Sequence, residues 1–135
     1  MNQVRQGRCQ CGRVQYEIQG DPVMVVVCHC TDCQRQTGSA FGMSMILPKE
    51  AFRLLGGDVK TFVRKADSGR RDTCAFCSEC GTRIYQEPES LAGMVSVKPG
   101  TLDDTSVVRP TLQAWIARKH PWLNLDSDVP TLKQQ

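Results

Sequence analysis

The fold of this chain is decided by one short stretch, Cys77-Ser-Glu-Cys80-Gly81, which brings two thiols and a glycine into a single tight turn. Two thiolates this close together can face the same ion, and Zn²⁺ prefers thiolate ligands about 2.3 Å away in a tetrahedron. A glycine directly after the second cysteine allows the backbone to turn sharply over the metal. The stretch therefore predicts a zinc knuckle.

A similar turn, Cys9-Gln-Cys11-Gly12, lies near the start of the sequence. A closed structural zinc site needs four protein ligands. The two thiols of this turn, together with Cys77 and Cys80, make a natural set of four. Such a site would tie the first strand to a late hairpin, so that much of the stability of the fold would depend on metal.

A third group, Cys28-His-Cys30-Thr-Asp-Cys33, places three thiols within six residues. Three protein ligands with one open position are typical of a catalytic zinc. A fourth protein ligand would instead close this site and make it structural, and the spacing leaves both interpretations open. The residues that can supply that ligand are His29, Asp32 and Cys74.

The charge of this third group, when it binds zinc, limits the reactions that it can support. Three thiolates and one Zn²⁺ sum to a single negative charge, so the metal is a poorer Lewis acid than one held by neutral imidazoles. It is less suited to making hydroxide from water and better suited to a soft ligand such as an incoming thiolate. An open site of this kind favours thiol chemistry over hydrolysis.

Composition bounds the class of protein. The 135 residues are expected to form one domain, residues 1–135, and no apolar run approaches the length of a membrane span. Since the first residues contain no apolar signal segment, we expect a cytoplasmic protein, in which eight cysteines are better explained by metal than by disulfides. Seven thiolates with two Zn²⁺ would offset the formal charge of +3. The sequence therefore predicts no nucleic-acid partner and no membrane partner.

Short apolar runs separated by frequent turns predict an all-β domain with little helix. Thr31 is expected to cap a short helical turn through about Gln36. The predicted strands cover residues 13–18, 24–27, 41–47, 60–64, 71–76, 81–85, 94–97 and 111–116.

Further residues frame the cysteines over nearly the whole chain. They include Gly7-Arg-Cys9-Gln-Cys11-Gly12, Cys28-His-Cys30-Thr-Asp-Cys33-Gln-Arg-Gln-Thr-Gly38-Ser-Ala-Phe41, Ser68-Gly69, Phe76-Cys77-Ser-Glu-Cys80-Gly81-Thr82, Gly100-Thr-Leu-Asp-Asp104, Trp115 and Trp122. With this framing the chain resembles the glutathione-dependent formaldehyde-activating enzyme family, whose domain also occurs in centromere protein V.

The resemblance implies a β-tent-like fold of small antiparallel sheets organised around a structural zinc, with two zinc ions per chain. It implies that the structural zinc is bound by Cys9, Cys11, Cys77 and Cys80. It implies that the second, catalytic-type zinc is bound by Cys28, Cys30 and Cys33. The open second site can lose its zinc or oxidise.

The resemblance also implies an activity. The expected function is a zinc-dependent carbon–sulfur lyase that acts on S-(hydroxymethyl)glutathione, the glutathione–formaldehyde adduct, or on a related small thiol–aldehyde pair. The expected partners are therefore a thiol such as glutathione and an aldehyde. Two alternatives stand beside it: a non-catalytic carrier of glutathione or another thiol, and a zinc-organised protein-interaction module.

Other residues near the second cluster are candidates for accessory roles. Arg35 and Ser39 are candidates for the binding site, and Arg35 can hold a glutathione carboxylate through a bidentate contact. His29 and Ser39 are candidates for the general acid, although His29 is better suited to orienting the loop. Cys74 is interpreted as a small apolar residue of a strand.

Overall fold

The computed structural model of the protein describes residues 3–126 and 128–134. This part of the chain forms ten β-strands, one α-helix and several short 3-10 turns. The strands are β1 (Val4–Arg8), β2 (Gln15–Gln19), β3 (Met24–Cys28), β4 (Gly42–Pro48), β5 (Phe52–Gly56), β6 (Val59–Lys65), β7 (Arg71–Cys77), β8 (Arg83–Pro88), β9 (Met94–Val97) and β10 (Leu112–Ala114). The helix is α1 (Thr31–Thr37). The mainly β architecture predicted from the sequence is confirmed.

The strands form two open sheets. The smaller has the order β1-β2-β5, and the larger has the order β10-β3-β4-β9-β8-β7-β6. The pairing is antiparallel throughout except between β10 and β3, which run parallel. With seven strands, the second sheet is larger than the small sheets that the resemblance implied.

One hydrophobic core joins the two sheets. The small sheet contributes Tyr16 and Ile18 from β2, whose alternation puts both side chains on the same face. The larger sheet contributes alternating apolar residues of β4 and β9, such as Leu47 and Val97, which are fully buried. Burial of these side chains stabilises each sheet against the other by about 25 cal/mol per Å² of apolar surface.

A close backbone approach locks β1 to β2. Gly7 pairs with Tyr16, and a Cβ atom at Gly7 would lie only 2.3 Å from the phenol ring. The phenol oxygen lies 2.7 Å from the hydroxyl of Thr101, and burial raises the pKa of Tyr16 to about 12. Any side chain at position 7 would push the ring out of the core.

Three local features differ from the sequence prediction. Strands β1 and β5 were not expected, because Val-Arg-Gln-Gly-Arg has one large apolar residue and Phe-Arg-Leu-Leu-Gly lacks strict alternation. Strand β8 begins at Arg83, since Gly81 adopts a φ of +80° in the preceding turn. The cap of α1 is Cys30, whose sulfur accepts a hydrogen bond from the backbone N–H of Cys33, and not Thr31.

The helical content has one consequence for membranes. Within the described residues, no helix combines the length and the apolar character that a bilayer crossing would require.

Candidate metal centres

The first cysteine cluster lies where two turns meet. One turn connects β1 to β2 and carries Cys9 and Cys11, and the other connects β7 to β8 and carries Cys77 and Cys80. The two turns close in the same way. The N–H of Cys9 donates to the carbonyl of Val14 at 3.0 Å, and that of Cys77 donates to the carbonyl of Thr82 at 2.9 Å.

A glycine in the left-handed region completes each turn. Gly12 has a φ of +83° and donates its N–H to the carbonyl of Cys9, and Gly81 has a φ of +80° and does the same toward Cys77. Residues with a Cβ rarely adopt this conformation. The local sequence of each turn therefore directs its two thiols toward one point.

The sulfur positions suit a four-coordinate ion. All four sulfurs lie within 4.8 Å of one another. The Sγ atoms of Cys9 and Cys11 are 3.5 Å apart, and those of Cys11 and Cys77 are 3.8 Å apart. A tetrahedron with metal–sulfur bonds of about 2.3 Å has sulfur–sulfur edges of about 3.8 Å. The donor set therefore fits Zn²⁺.

Donors around the first cluster favour thiolates. The N–H of Val14 donates to the sulfur of Cys9 at 3.3 Å, and the N–H groups of Glu79 and Cys80 donate to the sulfur of Cys77 at 3.4 and 3.5 Å. The hydroxyl of Thr82 lies 3.2 Å from the sulfur of Cys80 and helps to hold the pKa of that thiol at about 5. These contacts stabilise the charged form that a metal needs.

The second cluster comes from one continuous segment. Cys28 ends β3, Cys30 caps α1, and Cys33 lies in the first turn of the helix. Their three sulfurs lie within 4.8 Å of one another, and all three residues are half-buried. Hydrogen bonds with Cys28 and Cys33 lower the pKa of Cys30, whereas hydrogen bonds with Cys28 and Cys30 raise the pKa of Cys33. One thiol of the three is therefore readily ionised before any metal binds.

Gly42 allows β4 to pass close to the second cluster. It pairs with Cys28, and a Cβ atom at this position would lie 3.0 Å from the Cβ of Cys33 and 3.5 Å from its sulfur. A glycine here leaves space for the thiol of Cys33 beside the sheet.

The structure bears on the question of a fourth ligand. In the described part of the chain, no further Cys, His, Asp or Glu side chain lies within the same distance of all three sulfurs. His29 is fully buried, and its Nε2 lies 2.9 Å from Oε1 of Gln113. Asp32 accepts a hydrogen bond from Arg64 at 2.8 Å. Among the described residues, the second donor set therefore consists of three thiols.

The loop of the second cluster is fixed by its neighbours. The side-chain amide of Gln34 donates to the carbonyl of His29 at 2.9 Å, and its Oε1 lies 2.9 Å from Nε2 of His120. Gln113, which holds the His29 ring, belongs to β10. His29 and Gln34 thus anchor the cysteine segment to the C-terminal part of the chain, which agrees with an orienting role for His29.

A cleft of about 310 Å³ opens beside Cys33. Helix α1 forms one side of it, and one face of β6, β7 and β8 forms the other. The residues that line it are Asp32, Cys33, Arg35, Gln36, Phe62, Arg64, Asp72, Cys74, Arg83 and Gln86. A thiol in the wall of a cleft that also contains a few polar side chains is typical of a small-molecule site.

Only some of the residues predicted from the sequence line this cleft. Arg35 lines it, whereas Ser39 is exposed at the end of α1 and is not among the lining residues. Cys74 is buried in the cleft wall, while Cys77, three residues along the same strand, belongs to the hydrophobic core. Because an odd spacing in a strand puts side chains on opposite faces, Cys74 is kept away from the first cluster. Sequence reasoning did not identify Asp72, Arg83, Gln36 or Gln86, since no local pattern marks them.

Comparison with known proteins adds a family and a fold. The family model described as glutathione-dependent formaldehyde-activating enzyme matches residues 4–118. A search of curated proteins finds no match. The fold is similar to that of a crystal structure of a Rhodobacter sphaeroides protein from a structural genomics programme. The TM-score is 0.58 at 19% sequence identity, over 78% of this chain and 91% of that chain, so this likeness concerns the fold alone.

Proposed function

The chain belongs to the glutathione-dependent formaldehyde-activating enzyme family, and from this premise we propose that it is a zinc-dependent carbon–sulfur lyase. Its proposed substrate is S-(hydroxymethyl)glutathione, formed from glutathione and formaldehyde, or a related small thiol–aldehyde adduct. In the direction of adduct formation, a bond joins the thiol sulfur to the aldehyde carbon. The sulfur gives up its proton, and the former carbonyl oxygen takes one up.

The observation that carries the proposal is a cluster of three thiols beside a cleft, with no fourth protein ligand among the described residues. When bound there, Zn²⁺ would supply the positive charge that holds a substrate thiol deprotonated at neutral pH. Cys28, Cys30 and Cys33 would hold the ion. The residues of the cleft would bind and orient the rest of the thiol substrate.

The two clusters have separate proposed roles. Cys9, Cys11, Cys77 and Cys80 would bind a structural zinc whose four ligands are all supplied by the protein. The protein would therefore carry two zinc ions per chain when fully loaded, and only the second would be accessible to a thiol. We place this chemistry in the cytoplasm, with no nucleic-acid or membrane partner.

The test combines zinc content with reaction rate. Protein purified anaerobically with a mild reductant is expected to contain two zinc ions per chain and to accelerate adduct formation above the spontaneous rate, measured by NMR exchange between formaldehyde and glutathione. A Cys30→Ser variant is expected to retain one zinc and to lose the acceleration. A matched Cys74→Ala variant removes a thiol outside both clusters and is expected to keep two zinc ions.

The alternatives give different results. A carrier would bind glutathione saturably and leave the rate of adduct formation unchanged. An interaction module would neither bind glutathione nor change the rate. Either result, obtained with protein that holds two zinc ions, would contradict the lyase proposal.

A further inference from the structure

The cleft beside Cys33 contains an unusual group of buried polar atoms without partners. Gln36 Oε1, Asp72 Oδ1 and Arg83 Nη1 are all shielded from water, and none makes a hydrogen bond. All three residues line this cleft. An unpaired buried polar group is destabilising, so three in the residues of one cleft point to a site that is completed by a ligand.

A chain of hydrogen bonds fixes the acceptors of this group. The Gln36 amide donates from Nε2 to Oε1 of Gln86 at 3.1 Å, and the Gln86 amide donates to Oδ2 of Asp72 at 2.8 Å. Gln36 thus directs an amide N–H to Gln86, and Gln86 directs one to Oδ2 of Asp72. Two acceptor atoms, Asp72 Oδ1 and Gln36 Oε1, are left for a group that donates hydrogen bonds.

The Asp72 carboxylate is suited to a cationic group. Its residue is only 9% exposed, and burial raises the pKa of the carboxyl despite the nearby cations Arg64, Lys98 and Arg83. No salt bridge to Asp72 is formed within the described residues. A ligand cation that entered the cleft would offset part of the cost of burying this charge.

Arg83 supplies a positive charge that can bind an anionic group of a ligand. Arg83 extends from β8 with its guanidinium carbon 5.7 Å from the ring centroid of Phe76, which holds the side chain in place. Its unpaired Nη1 can donate to an anion. Arg35 also lines the cleft, while Arg64 is already paired with Asp32 across it. The unpaired acceptors and the unpaired cationic donor therefore belong to residues that line the same cleft.

From this juxtaposition we propose that the cleft binds the α-amino acid end of the thiol substrate, with its ammonium on Asp72 and Gln36 and its carboxylate on Arg83. The inference rests on the proposed function for the position of the thiol, which lies toward Cys33. It selects thiols that carry both a free α-amino group and a free α-carboxylate, a chemistry shared by γ-glutamyl thiols and by free cysteine. Asp72, Arg83 and Gln36 are positioning residues in this proposal.

The test is binding, measured by titration calorimetry on the zinc-loaded protein. The probes are glutathione, N-acetylglutathione, which lacks the ammonium, S-methylglutathione, which lacks the thiol, and free cysteine. Glutathione is expected to bind at least tenfold more tightly than N-acetylglutathione. Free cysteine distinguishes the two classes of thiol ligand. Comparable affinities for cysteine and glutathione would assign the cleft to any amino-acid thiol. A preference for glutathione would assign it to γ-glutamyl thiols.

Variants identify the residues. Asp72→Asn keeps the size of the side chain and an oxygen that can accept from Gln86. It is expected to weaken glutathione binding at least tenfold and to change N-acetylglutathione binding little. The variant should therefore no longer distinguish the two ligands. Arg83→Gln is expected to weaken both ligands, because both retain the carboxylate. Asp103→Asn changes an exposed carboxylate that does not line this cleft and serves as the matched control, with unchanged affinities.

The outcomes separate this inference from the proposed lyase activity. Equal affinity of the wild-type protein for glutathione and N-acetylglutathione overturns the inference, even if turnover is observed. An equal loss for both ligands in a folded Asp72→Asn variant shows that Asp72 acts through packing alone and also overturns it. If S-methylglutathione binds and depends on Asp72 while no turnover is found, the inference holds and the lyase proposal fails.

Discussion

The two cysteine clusters are built from the same ligand and the same short spacings, yet they differ in what surrounds them. The first cluster joins two turns that are 66 residues apart, between Cys11 and Cys77, and two of its four cysteines are buried in or beside the core. The second lies within one short segment, has three half-buried cysteines and borders a cleft.

We propose that this difference in the separation of the ligands along the chain decides the role of each metal. Closing a long loop has a large entropic cost in the unfolded chain, so a metal that holds such a loop closed contributes strongly to stability. A cluster from one helix cap and its flanking strand is formed with little loop closure. We therefore expect its loss to leave the fold nearly intact, and we propose that an ion bound there can take an external ligand.

The largest effect is expected from the first cluster. Cys77→Ser should remove one ligand of the ion that joins the two turns and should lower the free energy of unfolding by about 3 kcal/mol or more. The measurement is urea unfolding together with zinc content. Cys74→Ala, a buried cysteine on the other side of the same sheet, is the control and should keep both ions. A Cys77→Ser variant as stable as the wild type would show that the first cluster does not hold the fold together.

A smaller effect is expected where β4 passes the second cluster. Gly42→Ala places a methyl group 3.0 Å from the Cβ of Cys33, so it should displace that thiol and destabilise the fold by about 1–2 kcal/mol. The second zinc should be lost at lower chelator concentration than in the wild type, and the first should not. Gly100→Ala meets no atom within 4 Å and should change neither value. Equal zinc retention in the two variants would contradict this account.

The sulfur of Cys30 is also the N-cap of α1, and this second role can be tested separately from metal binding. Cys30→Ser and Cys30→Ala should both abolish the second zinc, but serine retains an oxygen that can accept the N–H bond of Cys33. Alanine cannot, and the loss of an N-cap costs about 1 kcal/mol. Thermal unfolding of the two variants should therefore differ by about this amount. Identical stability would show that the sulfur does not act as a cap.

The smallest expected effect is an increase in stability, caused by replacing Asp72. Because burial raises the pKa of Asp72 in the folded protein, the folded state holds its proton more tightly than the unfolded state, and the charged carboxylate costs stability as the pH rises. Asp72→Asn should thus become more stable than the wild type near neutral pH, with the advantage vanishing in acid. The measurement is the free energy of unfolding of the wild type and the variant between about pH 4 and 7, roughly the range in which a buried carboxylate titrates. A variant that is less stable at neutral pH would contradict the expectation.

The extent to which the site follows from the sequence differs between its parts. The cysteine turns were predicted because a knuckle is local: Gly12 and Gly81 stand next to their thiols and direct the chain by their own conformation. The cap of α1 was misassigned to Thr31, since a hydroxyl is the commoner cap and the sulfur of Cys30 was considered only as a ligand. Strand β1 was missed because its stability comes from pairing with β2 and from the contact of Gly7 with Tyr16, and not from its own apolar residues.

The sequence by itself determined the ligand types, the spacing within each cluster and the mainly β character, because each of these depends on residues that are neighbours along the chain. Spacing left open which thiols share an ion, and the binding of zinc by each set stays a prediction. Only the tertiary structure brought Gln36 of α1, Asp72 of β7 and Arg83 of β8 to the cleft beside Cys33. Strand register and helix packing decide such contacts, and both arise from interactions between distant segments that no local pattern records.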